Sequence, residues 1–115
     1  MTPDDTRSRF RHEDLARLTA AVFAAYGMAP SDAEIAAQVL VDADLCGIES
    51  HGIAHLPWHS GYAPGFQRGL VNPRPQLKVL RDSPVAASWD ADGGLGVSIA
   101  TQAMKATIEK ARATG

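Results

Sequence analysis

From His12 to Tyr26 the apolar residues Leu15, Leu18, Val22, Phe23 and Tyr26 recur in steps of three and four. That is the spacing of one helix face, and Gly27 follows as the expected stop. A second helix is signed at its start. Ser31 with Glu34 three residues on is the pattern of a capping box, in which side chains satisfy N–H groups that a helix end leaves free. Ile35, Val39, Ala43 and Cys46 then predict a buried stripe, and Gly47 the helix end. Two helices with a short connection predict an αα-hairpin.

Residues 48–75 have no single period. Ile48–His59 allows the start of a third helix, with Pro57 tolerated only near that start or at a kink. Gly61, Pro64 and Gly65 then interrupt any regular pattern, and Gly69 through Pro75 is turn material. Residues 76–81 and 85–89 cluster apolar side chains around Asp82-Ser83-Pro84 and predict two short strands joined by a turn. Asp90–Gly94 predicts another turn, with Asp92 or a neighbour capping the next helix. Leu95, Ile99, Met104, Ile108 and Ala111 mark that helix, while Lys110 and Arg112 suit the negative end of its dipole. Two strands do not make a self-sufficient sheet. The last helix is therefore expected to carry an apolar face that either a partner or a longer chain covers.

Composition narrows the classes. Leu, Ile, Val and Phe number 24 of 115 residues and Ala another 20, so the core is expected to be thin and alanine-rich. No apolar run approaches the roughly eighteen residues of a membrane span, and Met1–His12 has no signal-peptide stretch. Cys46, the single cysteine, cannot form an internal disulfide, which suits a reducing compartment. A net charge of −2 with interspersed signs offers no basic footprint for nucleic acid. The expectation is a small, soluble, cytoplasmic protein with neither nucleic acid nor membrane as partner.

The densest chemistry lies in Glu49-Ser50-His51-Gly52-Ile53-Ala54-His55, with His59 four residues beyond. Gly47 and Gly52 suggest a loop leaving a helix, where functional side chains are often carried. Histidine titrates near neutrality and suits reversible proton transfer, and Ser50 beside it can hydrogen-bond or relay a proton. The plainer alternative makes His51 and His55 partly buried residues satisfied by backbone groups. A metal reading also competes, because His51, His55 and His59 would align on a straight helix. Against it, Gly52 stands where the zinc motif H-E-x-x-H needs glutamate, and Pro57 breaks such a helix. No metal is expected, and Cys46 adds little. Gly93-Gly94-Leu95-Gly96 partly matches a dinucleotide-binding turn, but Ile99 takes the place of its third glycine, and a tight turn capping a helix is the favoured reading of the segment. Trp58 and Trp89 suit a pocket lining or plain packing, and Arg68, Arg74 and Lys78 read as solvated charges.

Several ordered pieces, however, occur together: Ala43-Asp44-Leu45-Cys46-Gly47-Ile48-Glu49-Ser50-His51-Gly52-Ile53, then Gly69-Leu70-Val71-Asn72-Pro73, then Asp90-Ala91-Asp92-Gly93-Gly94-Leu95-Gly96, then Ala103-Met104 and Ile108-Glu109-Lys110-Ala111. Through them nearly the whole chain resembles the N-terminal portion of the malate/L-lactate dehydrogenase-type NAD(P)-dependent oxidoreductases, which include ureidoglycolate, sulfolactate and malate dehydrogenases and cyclic imino-acid reductases. The resemblance implies an α/β, non-Rossmann oxidoreductase fold, NAD or NADP as cofactor, and a homodimer acting on a small 2-hydroxy or 2-oxo acid. It implies that His51 is the proton donor/acceptor and Ser50 the residue that relays charge to it. The family commonly has an arginine four residues after the histidine to grip the substrate carboxylate. His55 stands there and lacks arginine's bidentate fork. The stretch from Leu56-Pro57 to Gly69 is also slightly longer than usual, with Tyr62 displaced.

The expected organisation is a flexible terminus over 1–11 and a helical hairpin region over 12–75 that carries the histidine loop. Residues 76–115 then open a cofactor-binding domain, with the start of a mixed sheet and a packing helix. Family members continue into an Asn-His-Phe-Gly-like segment and most of the cofactor site, whose residues remain unknown here. The fold is thus expected to be incomplete in this chain, and the 115 residues alone inactive. Two other readings stand beside this one: a non-catalytic interaction module and a histidine-based metal-binding segment.

Overall fold

The structure is a computed structural model that describes residues 8–115. Residues 8–10 are exposed and irregular and Arg11 caps the first helix; the rest of the expected flexible terminus, residues 1–7, lies outside the described residues. Helix α1 spans His12–Ala25 and α2 spans Pro30–Leu45. Two single-turn 3₁₀ segments follow, Glu49–His51 and Ile53–His55, and then a short helix α3, Tyr62–Gln67. Strands β1, Lys78–Ser83, and β2, Ala86–Asp90, form an antiparallel hairpin before α4, Gly96–Thr114.

The expected helical hairpin is present, and one device ends each of its arms. In α1 the Gly27 N–H donates to the Ala24 carbonyl and the Met28 N–H to that of Phe23. In α2 the Gly47 N–H donates to Asp44 and the Ile48 N–H to Ala43. Each set is a Schellman turn, and it needs the positive φ that Gly27 (100°) and Gly47 (76°) supply without a Cβ penalty.

The start of α2 differs from expectation. Ala29 is the N-cap, no side chain caps the helix, and Pro30 fills its first position. A proline there has no N–H to satisfy and a φ already set for the helix. The helix thus begins two residues earlier than a Ser31 cap would start it, and Ser31 lies inside its first turn. The buried face of α2 also differs. Ala33, Ala36, Ala37, Leu40 and Val41 are buried, whereas Ile35, Val39 and Ala43 are half-buried and Cys46 is exposed. The alanine-dense face turns inward because small side chains let helix backbones approach closely. In α1 the buried residues are Thr19 and Phe23, and Leu18 lies outside.

The core is thin, as composition implied. Phe23, Leu40, Met28, Leu95 and the α2 alanines form it, with Ile53, Leu56, Tyr62 and Phe66 packed against its edge. Helix α3 was not legible because Gly61, Pro64 and Gly65 disguise it. Pro64 occupies its first turn, where no N–H is required. The helix docks by stacking Phe66 on Tyr26 (centroids 5.2 Å apart) and setting Tyr62 and Phe66 edge-on to Phe23.

The strands lie close to the predicted segments, turning at Pro84-Val85 with a bulge at Leu80. Among the described residues their pairing is antiparallel, so the mixed sheet that was expected is not seen. Asp92 does not cap α4, whose N-cap is Leu95. Its carboxylate accepts instead from Gln76 N–H (2.9 Å) and Asn72 Nδ2 (3.1 Å), tying the turn before β1 to the turn after β2. Leu95 and Ile99 of the predicted α4 stripe are buried, but Met104 and Ile108 are exposed, as are Val79, Leu80 and Val85 of the hairpin. No helix among the described residues is long and apolar enough to cross a membrane.

Candidate active site

The Schellman turn at Gly47 reverses the chain, so the segment after α2 runs back beside the helix's last turn. There the expected third helix is replaced by the two 3₁₀ turns, closed by His51 N–H to Ile48 O (3.0 Å) and His55 N–H to Gly52 O (3.0 Å). Gly52 separates them in an extended conformation, which a continuous helix could not accommodate. The three histidines therefore lie on an interrupted backbone. Among the described residues no three His, Cys, Asp or Glu side chains gather into a metal-binding group.

The structure brings Ser50 and His51 together. Ser50 Oγ lies 2.8 Å from His51 Nδ1, and both residues are exposed. A hydroxyl can donate or accept at that distance, so Ser50 serves either neutral tautomer of the ring and the imidazolium as well.

His55 is placed differently. Its ring is edge-on to Trp58 (5.2 Å) and Tyr62 (4.8 Å), half-buried, with Nδ1 enclosed and without a hydrogen-bond partner. Among the described residues no hydrogen bond or ring contact joins it to His51. Trp58 is thus a neighbour of His55, and Trp89 faces α4 alongside Ala103 and Ala106. Burial pushes the Tyr62 hydroxyl above its ordinary pKa of 10.0. The backbone beneath this cluster is tight, since a Cβ on Gly61 would run into the His55 carbonyl.

Asp44, a side chain to which the sequence assigns no role, holds this region. Asp44 Oδ2 accepts from the Ile53 N–H at 2.9 Å, and a Cβ on Gly52 would lie 2.5 Å from that oxygen and closer still to its twin. A faint signal was available, because a carboxylate in the last turn of a helix opposes the macrodipole and needs a partner. Arg74, read as a solvated charge, donates from Nε to the Gly27 carbonyl at 2.6 Å and so braces the α1–α2 turn.

Among the described residues, Gly94 of the Gly93–Gly96 turn leaves no room for a dinucleotide against it. Gly94 is filled in by its own surroundings, its missing Cβ position lying 2.5 Å from Ile99 Cδ1 and 2.6 Å from Pro75 Cγ. The adjoining cavity, between Asp32, Asn72, Leu95 and Gln102, holds about 60 Å³, enough for water but not for a cofactor.

The sequence pattern of the malate/L-lactate dehydrogenase family matches residues 10–115. The chain is 39% identical to the L-sulfolactate dehydrogenase of Methanocaldococcus jannaschii over 103 residues, covering 90% of this chain and 29% of that protein. It is 38% identical to the malate dehydrogenase of Pyrococcus abyssi over 112 residues, covering 97% of this chain and 30% of that protein. The solved malate dehydrogenase of Pyrococcus horikoshii OT3 superposes with a TM-score of 0.90 at 38% identity, over 97% of this chain and 31% of that one. The chain therefore spans about three-tenths of the length of these relatives and, on sequence and on fold alike, belongs to the malate/L-lactate dehydrogenase family.

Proposed function

We propose that this chain supplies the proton-transfer residues of an NAD(P)-dependent dehydrogenase that interconverts a small 2-hydroxy acid and its 2-oxo acid. The observation that carries the reading is the 2.8 Å contact between Ser50 Oγ and His51 Nδ1, on a loop fixed to the end of α2. In the oxidising direction His51 Nε2 takes the proton of the substrate hydroxyl, and the Nδ1–H of the resulting imidazolium is held by Ser50 Oγ. In the reducing direction the same Nε2–H returns the proton to the substrate oxygen. Bound NAD or NADP supplies the hydride chemistry; the part assigned to this chain's own residues is the proton.

His55 is the substrate-binding residue in this reading. With Nδ1 enclosed, it offers a carboxylate a single N–H from Nε2 where the family's arginine gives two, which favours small acids held in part by other groups. Residues 12–75 then carry the histidine loop, and 76–115 open the cofactor-binding domain. The reading places the enzyme in the cytoplasm, in keeping with the free, exposed thiol of Cys46. It makes the assembly a homodimer, for which the bare apolar residues of α4 and the hairpin offer surface.

The test is the initial rate of NAD⁺ or NADP⁺ reduction by the full-length gene product with L-malate, L-lactate or L-sulfolactate. His51→Gln is expected to lower kcat by about 10²–10⁴-fold, the range for a general acid–base group. A variant that turns over at the wild-type rate removes His51 from the reaction.

A further inference from the structure

We propose that Asp44 is a positioning residue for His51, fixing the backbone from which the imidazole projects; this rests on the reading of His51 given above. Asp44 stands in the last turn of α2, which holds no basic residue, and a carboxylate there faces the negative end of the helix dipole. A helix stop built by Gly47 does not need it. What it meets is the Ile53 N–H, the unpaired donor that opens the second 3₁₀ turn, at 2.9 Å.

The carboxylate also sits over Gly52, the residue directly after His51, closely enough that no Cβ fits between them. Gly52 is buried although its neighbours Ser50 and His51 are exposed. His51 is thus bracketed. On one side the Ile48–Ala43 hydrogen bond ties the loop to α2, and on the other Asp44 clamps residues 52 and 53. The ring's own polar contact is with its sequence neighbour Ser50, which travels with it. The orientation of the pair toward a substrate is therefore set by the backbone, and Asp44 is the side chain that anchors that backbone to the core helix. Small displacements of a proton-transfer group are costly to rate, whereas the His55 ring is held separately by its edge contacts with Trp58 and Tyr62, so ground-state binding through it depends less on Asp44.

The experiment compares wild type, Asp44→Ala and Asp44→Asn in the full-length gene product by steady-state kinetics. It adds ¹⁵N-imidazole spectra, in which H51Q identifies the His51 signals. D44A is expected to lower kcat about 10- to 100-fold, leave KM within about threefold, and replace one set of His51 imidazole signals by broadened or multiple ones. D44N retains an oxygen for the Ile53 N–H and is expected to keep the wild-type His51 imidazole signals and a kcat within about threefold. D44A with wild-type imidazole signals and undiminished kcat overturns the proposal. If D44A loses its fold by circular dichroism, D44N decides: rescue supports positioning, and a folded D44N as slow as H51Q overturns it. Should H51Q itself prove fully active, the proton-transfer reading fails, and the imidazole spectra still report whether Asp44 sets the ring.

Discussion

Gly52→Ala probes the clamp from its other side, and its cost can be worked from the geometry. The added Cβ lands 2.5 Å from Asp44 Oδ2 and nearer to Oδ1. The backbone at Gly52, φ −90° and ψ −154°, is open to alanine, so the clash and not the dihedral is the obstacle. The carboxylate is the end of a rotatable side chain and swings away, releasing the Ile53 N–H. A hydrogen bond to a charged group contributes about 1.5–3 kcal/mol, and replacing glycine at a permitted φ returns about 0.4–1 kcal/mol through the unfolded chain. The net loss expected for G52A is about 1–2 kcal/mol by that difference. In a D44A background the obstacle is gone, and the same substitution should be neutral or stabilising by up to about 1 kcal/mol. The coupling between the two sites is then about 2 kcal/mol, well above the scatter of independent sites. Urea unfolding of the four proteins of this cycle, with unchanged m-values, measures it. Equal costs of G52A with and without Asp44, within about 0.5 kcal/mol, would refute the clamp.

Lys110 places its ammonium 2.6 Å from both Asp82 Oδ1 and the Ser83 carbonyl, linking α4 to the tip of the hairpin with its side chain largely covered. Lys110→Ala is expected to cost about 1 kcal/mol. The loss should appear as faster amide exchange in residues 78–90 and leave the His51 imidazole spectrum unchanged. Tyr62 holds its phenolic proton more tightly when folded than when unfolded, because burial disfavours the phenolate. Its contribution to stability is complete below about pH 10 and lost as pH rises through the raised folded value. Tyr62→Phe should remove that alkaline loss, together with the late step in a phenolate absorbance titration; an unchanged titration would contradict the buried hydroxyl.

What the sequence made legible followed from local rules with one answer. Gly27 and Gly47 were readable as helix stops because a positive φ there leaves glycine as the ready choice. Ser50 and His51 were readable as a pair because adjacent residues in a tight turn bring their side chains within reach. Features with two local solutions were not readable. Ser31 and Glu34 spell a capping box, but Pro30 begins the helix more favourably two positions earlier. The sequence of α2 offers two apolar arcs, one of Ile35, Val39 and Ala43 and one of alanines with Leu40 and Val41. Which arc is buried depends on α1 and α4, not on the helix itself. The Asp44–Ile53 bond spans nine residues across a chain reversal, and only the odd placement of a carboxylate at a helix end pointed to it.

The distribution of buried side chains explains why the anchor runs to α2. Phe23, Met28, Leu40 and Leu95 are buried around the helical hairpin, while Val79, Leu80 and Val85 lie exposed on the β-hairpin and Met104 on the outer part of α4. Backbone that lacks buried apolar contacts opens locally at small free-energy cost, and groups attached to it move with those openings. A proton-transfer side chain held to the β-hairpin would share that motion. Held to the last turn of α2, the Ser50–His51 loop shares the stability of the best-buried helix among the described residues. The cost of setting Asp44 against the helix dipole is about 0.3–1 kcal/mol at an exposed site. The bond it makes to the Ile53 N–H contributes more than that. The balance favours an acidic residue at a helix end where a basic one would have stabilised the isolated helix better.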